Sequence, residues 1–88
     1  MKLKYNFVTN EVADKIVAVA VGDDLEKFNG FIKMNDTGAY IFNMLKNDVT
    51  EDEIVEAMKK DYEDATEQEI RETVSEFVGK LKDADVLE

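Results

Sequence analysis

The sequence contains no cysteine, no histidine and no proline among its 88 residues. Without cysteine, a disulfide framework, a thiolate metal site and a cysteine nucleophile are all excluded. Without histidine, the chain lacks the usual general base near neutral pH and the commonest zinc ligand, so only carboxylates, lysines and hydroxyl groups remain for catalysis. We therefore expect no enzymatic activity and no bound metal or organic cofactor.

Long apolar runs are also missing. The longest, Ile16 to Val21, is too short to span a bilayer, and Met1 to Asn10 lack the charged-then-apolar order of a signal peptide. Hydrophobic residues nevertheless make up 44% of the chain, which is enough for one modest core. A chain of this length leaves no room for a second core, so we expect one cytoplasmic domain over residues 1–88.

Positive charge is scarce and unevenly distributed. The chain carries 21 acidic and 11 basic residues, for a net charge of -10. Residues 1–47 hold six acids and six bases, whereas residues 48–88 hold fifteen acids and five bases. The excess negative charge therefore lies in the C-terminal half, where it would repel a phosphate backbone.

The first half of the chain shows the two-residue alternation of β-strands. Lys15 to Val21 place β-branched residues on one alternate set and small residues on the other, and Gly22-Asp23-Asp24 follows as a turn signal. Phe7 to Val12 and Phe28 to Met34 are the expected neighbours on either side. This part of the chain predicts a three-stranded antiparallel meander.

The second half shows the patterns of three helices. Asp36-Thr37-Gly38 opens the first helix, which ends at Asn47-Asp48. Thr50-Glu51-Asp52-Glu53 and Thr66-Glu67-Gln68-Glu69 have the form of capping boxes and start the second and third helices. The order predicts an α+β fold of the winged helix-turn-helix type, with three strands followed by three α-helices that cover one face of the meander.

Winged helices often bind DNA through a recognition helix in the major groove. The third predicted helix carries Arg71, Lys80 and Lys82, but these are outnumbered by its acids, Glu67, Glu69, Glu72, Glu76 and Asp83. A net-acidic recognition helix opposes phosphate contact. We therefore keep a DNA-binding transcriptional regulator only as the alternative function.

The third predicted strand is the stronger candidate for a binding element. In a meander it lies at an edge, and from Phe28 to Met34 it has two aromatic residues, one isoleucine, one methionine and a single charge at Lys33. Edge strands are commonly protected by several charges, by proline or by a cover. Either the strand binds a peptide through its open edge, or one alternate set is core and Lys33 alone suffices as protection.

The stretch from Phe31 to Leu45 resembles the PqqD family, in which a hydrophobic strand is followed by asparagine and by a Thr-Gly-Ala-like turn into a helix that ends in leucine. Thr50 to Val55 and Tyr62 resemble the second helix of that family. The third helix is matched by Val74, Phe77, Val78 and Leu81. The resemblance covers residues 15–87.

In that family, which is best known from pyrroloquinoline quinone biosynthesis, the fold is a recognition element for ribosomally made, modified peptides. The resemblance implies that a precursor's leader adds as a strand beside the third strand, in a groove shared with the third helix, and is presented to a maturation enzyme, often a radical S-adenosylmethionine enzyme. From the acidic charge and the short apolar runs we expect no nucleic-acid and no membrane partner. The peptide-binding residues that the resemblance nominates are Phe28, Phe31, Ile32, Lys33, Met34, Ile70, Thr73, Val74 and Phe77.

Overall fold

A computed structural model describes residues 1–88 of the chain. The strands are β1 (Phe7–Val12), β2 (Lys15–Ala20) and β3 (Phe31–Met34), and the helices are α1 (Asp24–Lys27), α2 (Asp36–Met44), α3 (Glu51–Asp61) and α4 (Glu67–Asp83). The sheet is an antiparallel meander in the order β1-β2-β3, so both β1 and β3 are edges. The predicted α+β fold is confirmed.

Small and β-branched side chains alternate along β2, and this alternation decides which face of the sheet the helices cover. Ala18 and Ala20 are buried on the inner face, opposite Ile32 of β3 and Phe7 of β1 respectively. Their small side chains leave space for the larger side chains of the helices. The valines of the other alternate set lie on the outer face, where β2 has no covering layer and they stay only partly buried.

The helices begin where the sequence predicts, because side chains satisfy their free amides. The Asn35 side chain accepts a hydrogen bond of 2.8 Å from the Gly38 amide at the start of α2. Both predicted capping boxes are formed, at Thr50 and at Thr66. Three of the first residues of α3 are acidic, which also suits the positive end of the helix dipole.

The core lies between the inner face of the sheet and the helices and contains 19 buried hydrophobic residues. Helix α4 contributes Ile70, Val74, Val78 and Leu81 from a single stripe. The chain ends meet beside this core, since the Lys4 amide donates to the Val86 carbonyl and Leu3 pairs with Leu87. None of the helices has both the length and the apolar character needed to cross a bilayer.

The segment before β3 differs from its prediction. Residues after the Gly22-Asp23 turn form the single helical turn α1, and Phe28 closes it by donating its amide to the Asp24 carbonyl. The Phe28 ring packs edge-on against Phe7 at a centroid distance of 5.7 Å. Strand β3 therefore begins at Phe31 and has four residues, whereas the sequence pattern predicts a start at Phe28.

Candidate binding groove at the β3 edge

Strand β3 leaves one row of backbone groups outside the sheet. The Lys33 carbonyl points away from β2, because it accepts a hydrogen bond of 2.8 Å from Lys80 Nζ on α4. The N–H and C=O of one residue in an antiparallel strand face the same side, and successive residues alternate. Phe31 therefore shares the outward orientation of Lys33, whereas Ile32 and Met34 direct their backbone groups to β2.

A groove separates this open edge from α4. It consists of two adjoining depressions of about 270 and 300 Å³, which share Asn35, Phe77 and Lys80. The first depression is completed by Lys15, Lys33 and Met34, and the second by Gly38, Thr73 and Glu76. A segment laid along β3 would thus have one face of α4 beside it.

The half-buried ring of Phe77 lines both depressions, and Gly38 allows it to lie there. A Cβ atom at position 38 would stand 2.9 Å from Phe77 Cε1 and 3.1 Å from Met34 Cβ. Real side chains do not tolerate the first of these distances without a shift. The glycine of the Thr-Gly-Ala turn therefore has a local physical role, which is to let an aromatic ring of α4 contact the start of α2.

Four of the nine predicted site residues line the groove. They are Lys33 and Met34 from β3 and Thr73 and Phe77 from α4. Phe31 contributes its outward backbone, but its side chain lies on the outer face of the sheet, where it is 59% exposed. The structure thus brings five predicted residues to the edge and its groove.

The other four predicted residues lie elsewhere. Ile32, Ile70 and Val74 are at most 5% exposed and belong to the core, so they support the groove from behind. Phe28 stacks on Tyr5 as well as packing on Phe7, and it is not among the residues that line the groove.

Sequence reasoning missed several lining residues, among which Lys80 is the most informative. It follows Phe77 by three positions and Thr73 by seven, so helical periodicity alone places all three on one face of α4. Glu76 lies one position before Phe77 and three after Thr73, close to the same face. Lys15 was not detectable by such a rule, because its approach to Lys33 depends on the register of two strands.

The two depressions of the groove differ in the charged side chains that line them. Lys15, Lys33 and Lys80 surround the first depression, and none of the three forms a salt bridge. The only acidic side chain that lines either depression is Glu76, in the second. A positive end therefore adjoins Lys33, within a chain whose net charge is -10.

Two other surface features lie outside the groove. A larger depression of about 470 Å³ beside the N-terminal segment is polar and contains no residue of β3; Phe7, the first residue of β1, is the one strand residue that lines it. On the outer face of the sheet, Val8, Val19 and Phe31 form a row across all three strands. This row continues from the open edge and would extend the apolar surface available to an added strand.

A three-stranded meander backed by helices, with a groove between an edge strand and the last helix, defines an α+β winged-helix domain. The same fold is found in the structure described as TbiB1 in complex with the TbiA(beta) leader peptide, with a TM-score of 0.75 and 20% sequence identity over 100% of this chain and 95% of that chain. The sequence model of the family "Coenzyme PQQ synthesis protein D (PqqD)" matches residues 15–87. The chain belongs to the PqqD family. No curated protein matched it.

Proposed function

We propose that this protein is a non-catalytic module that binds the leader of a ribosomally synthesised precursor peptide as an added strand on β3 and presents it to a modifying enzyme. The observation that carries the proposal is the outward row of backbone groups at Phe31 and Lys33, which faces a groove lined by Phe77. The similar fold of TbiB1, which was solved with a leader peptide, supports it.

Strand addition would use both kinds of recognition that the edge offers. Hydrogen bonds to Phe31 and Lys33 supply affinity that is independent of the peptide's sequence. Alternate side chains of the added strand then point to opposite faces. One set lies beside the exposed Phe31 ring on the outer face, and the other enters the groove beside Phe77 and Thr73, so sequence preference arises on both faces.

The chemistry on the bound peptide has to come from a partner protein. The chain has neither histidine nor cysteine, and iron–sulfur clusters are held mainly by cysteine thiolates. We propose a radical S-adenosylmethionine enzyme as that partner. All protein ligands of its iron–sulfur cluster would then come from the enzyme's own chain. Membership in a family named for coenzyme synthesis supports a biosynthetic partner.

An amide-shift titration with leader peptides encoded beside the gene tests the binding site. We expect perturbations on residues 31–38 and 73–80, which form the two walls of the groove. Perturbations confined to residues 50–62, on the α3 side, would contradict strand addition at β3. Titration with duplex DNA is the matched negative control, because the acidic surface of α4 should give no binding at physiological salt.

The partner is tested separately, with the radical S-adenosylmethionine enzyme encoded nearest to the gene. We expect modification of the precursor to slow when the module is omitted and to recover when it is added back. Full activity without the module would contradict its role in presentation, even if the peptide binds the groove.

A further inference from the structure

The only outward carbonyl of β3 with a partner in this structure is that of Lys33, which Lys80 reaches from across the groove. Lysine is a common protector of edge strands, and here the Lys80 ammonium group occupies an acceptor that another strand would use. Added strands donate an amide to such a carbonyl. For a peptide to pair fully with β3, Lys80 must therefore release Lys33.

The released ammonium group would then need another acceptor. Lys80 forms no salt bridge in this structure, although Glu76, four positions before it on α4, lines the second depression together with it. Lys15 and Lys33 stand beside Lys80 around the first depression and form no salt bridge, although Lys33 Nζ lies 5.8 Å from the centroid of the Phe31 ring. Three cations there would attract one carboxylate and repel a cationic side chain.

We propose that the groove selects peptides that carry an aspartate or glutamate beside an apolar anchor, and that Lys80 exchanges the Lys33 carbonyl for that carboxylate as the strand adds. The inference rests on the proposed function and names the class of leader that the site accepts. The apolar anchor lies against Phe77 and Met34, and the acid lies at the Lys80 end. Glu76 disfavours an acid at the other end, so the charge also fixes the register of the peptide.

The exchange keeps every polar group satisfied. The Lys33 carbonyl replaces an ammonium donor with a peptide amide, and the ammonium group replaces a carbonyl with a carboxylate. Charge-assisted hydrogen bonds between two ionised groups are the stronger kind. With a peptide that has no acid, the Lys80 ammonium group would be left to water or to Glu76, and the bond to a peptide carboxylate would not form.

A display library of random short peptides, selected on the folded protein, tests the preference and does not require the natural leader. The test compares wild type, Lys80→Met and Lys82→Met. Both variants remove one cation from α4, but only Lys80 lines the groove. We expect an acidic residue next to an apolar one to be enriched by wild type and by Lys82→Met, and to be lost with Lys80→Met.

A selected peptide and its Asp→Asn form then complete a double-mutant cycle with wild type and Lys80→Met. We expect Asp→Asn to weaken binding to wild type about tenfold, and to change binding to Lys80→Met little, as for loss of one charge-assisted hydrogen bond. Equal weakening on both proteins would overturn the pairing. Tighter binding of both peptides by Lys80→Met would show that Lys80 only guards the edge.

The same selection separates this inference from the proposed function. If wild type selects acid-free peptides that shift amides on residues 31–38 and 73–80, strand addition stands and the charge preference is wrong. If wild type selects no peptide, or only peptides that shift residues outside the groove, the proposed function is wrong and the charge preference with it.

Discussion

β1 and β3 are both edges of one sheet, but they differ in what lies beside them. β1 is the longer, with six residues, and every residue after Phe7 is exposed. β3 has four residues, yet its open edge adjoins α4 and the groove around Phe77. A strand added to β1 would gain backbone hydrogen bonds and bury few side chains, whereas the same strand on β3 would bury one alternate set.

The difference shows why edge length is a poor guide to strand addition. Each backbone hydrogen bond replaces one to water, so its net gain is only about 1 kcal/mol. Ordering the residues of a peptide costs a similar amount for each residue. Selective binding therefore needs side-chain burial, and on this sheet the groove provides it at β3 alone.

The largest effect should come from removing the outward amide of β3. In Lys33→Pro, position 33 has no amide to donate to an added strand, so that hydrogen bond is lost. The fixed φ of proline also disturbs the neighbouring hydrogen bond between β3 and the added strand. We expect peptide affinity to fall about thirtyfold or more, since two hydrogen bonds of about 1 kcal/mol each are lost. Isothermal titration with the selected or natural leader measures the change.

Thr9→Pro is the matched control on β1. The Asn6 carbonyl accepts from the Val21 amide and so faces β2, which leaves Thr9 with its backbone directed to the free edge. Proline is tolerated there as well as at position 33, because neither amide belongs to the ladder. An equal loss of affinity in both variants would mean that the peptide does not distinguish the edges.

The next effect concerns the outer faces of the two edges. Phe31 is 59% exposed and Val12 is 58% exposed, so truncation of either to alanine should leave the fold intact. We expect Phe31→Ala to cost about 2 kcal/mol of binding energy, as for an aromatic anchor at an interface, and Val12→Ala to cost almost nothing. Lys33→Ala should cost less than Phe31→Ala, because loss of an exposed charge matters little.

Titrations paired with melting curves measure this comparison. A loss of affinity in Phe31→Ala that follows a loss of melting temperature would argue for misfolding, and an unchanged affinity would remove Phe31 from the binding surface.

A smaller effect is expected from the glycine that positions Phe77. In Gly38→Ala, the new methyl group would displace the Phe77 ring, and we expect the protein to lose about 1 kcal/mol of stability and several-fold in peptide affinity. Gly79→Ala is the control on α4, because a Cβ there meets nothing within 4 Å. That variant should gain up to about 1 kcal/mol from helix propensity and bind the peptide as wild type does.

Denaturant unfolding together with titration checks both glycine variants. If Gly38→Ala were as stable and as tight a binder as wild type, the close approach of Phe77 to α2 would have no consequence for the groove.

Local signals predicted most of the fold. The capping boxes at Thr50 and Thr66 act within four residues, and the alternation around Ala18 marks a strand through its immediate neighbours, so both are visible in the sequence. Helix α1 was missed, because a single turn with two apolar residues, Leu25 and Phe28, is too short to show a helical period. Its position depends on tertiary contacts, such as the Asn6 amide that donates to Asp24.

The candidate site was predicted at its edge strand but only partly on α4. Val74 and Phe77 both belong to the apolar stripe of that helix, and periodicity cannot tell which one faces the groove. Burial decides it, because Val74 is 1% exposed, whereas Phe77 is half-buried and lines the groove in the space that Gly38 leaves free. Lys80 was overlooked because nothing in the sequence gives it a role different from that of the other lysine of α4. Its role becomes visible only when the fold places the Lys33 carbonyl beside it.

The smallest effect, on stability alone, should come from a substitution at Tyr40, which lies far from both sheet edges. Tyr40 donates a hydrogen bond to Asp61, and this bond, together with burial, raises the pKa of the Tyr40 phenol to about 12. The fold thus favours the neutral phenol, so its contribution to stability is complete below the ordinary value of 10.0 and is lost as the pH rises toward 12.

In Tyr40→Phe, the hydrogen bond is absent at every pH, so the stability difference from wild type should shrink as the pH rises from 10 to 12. Near neutral pH, where the difference is largest, we expect it to be below about 1 kcal/mol, as for a single exposed hydrogen bond. Urea unfolding of both proteins across this window measures it. A stability difference that stays constant from pH 10 to 12 would contradict the role of Asp61.

The peptide affinity of Tyr40→Phe at neutral pH should equal that of wild type, because Tyr40 lines neither depression. A changed affinity would mean that the groove depends on the packing between α2 and α3.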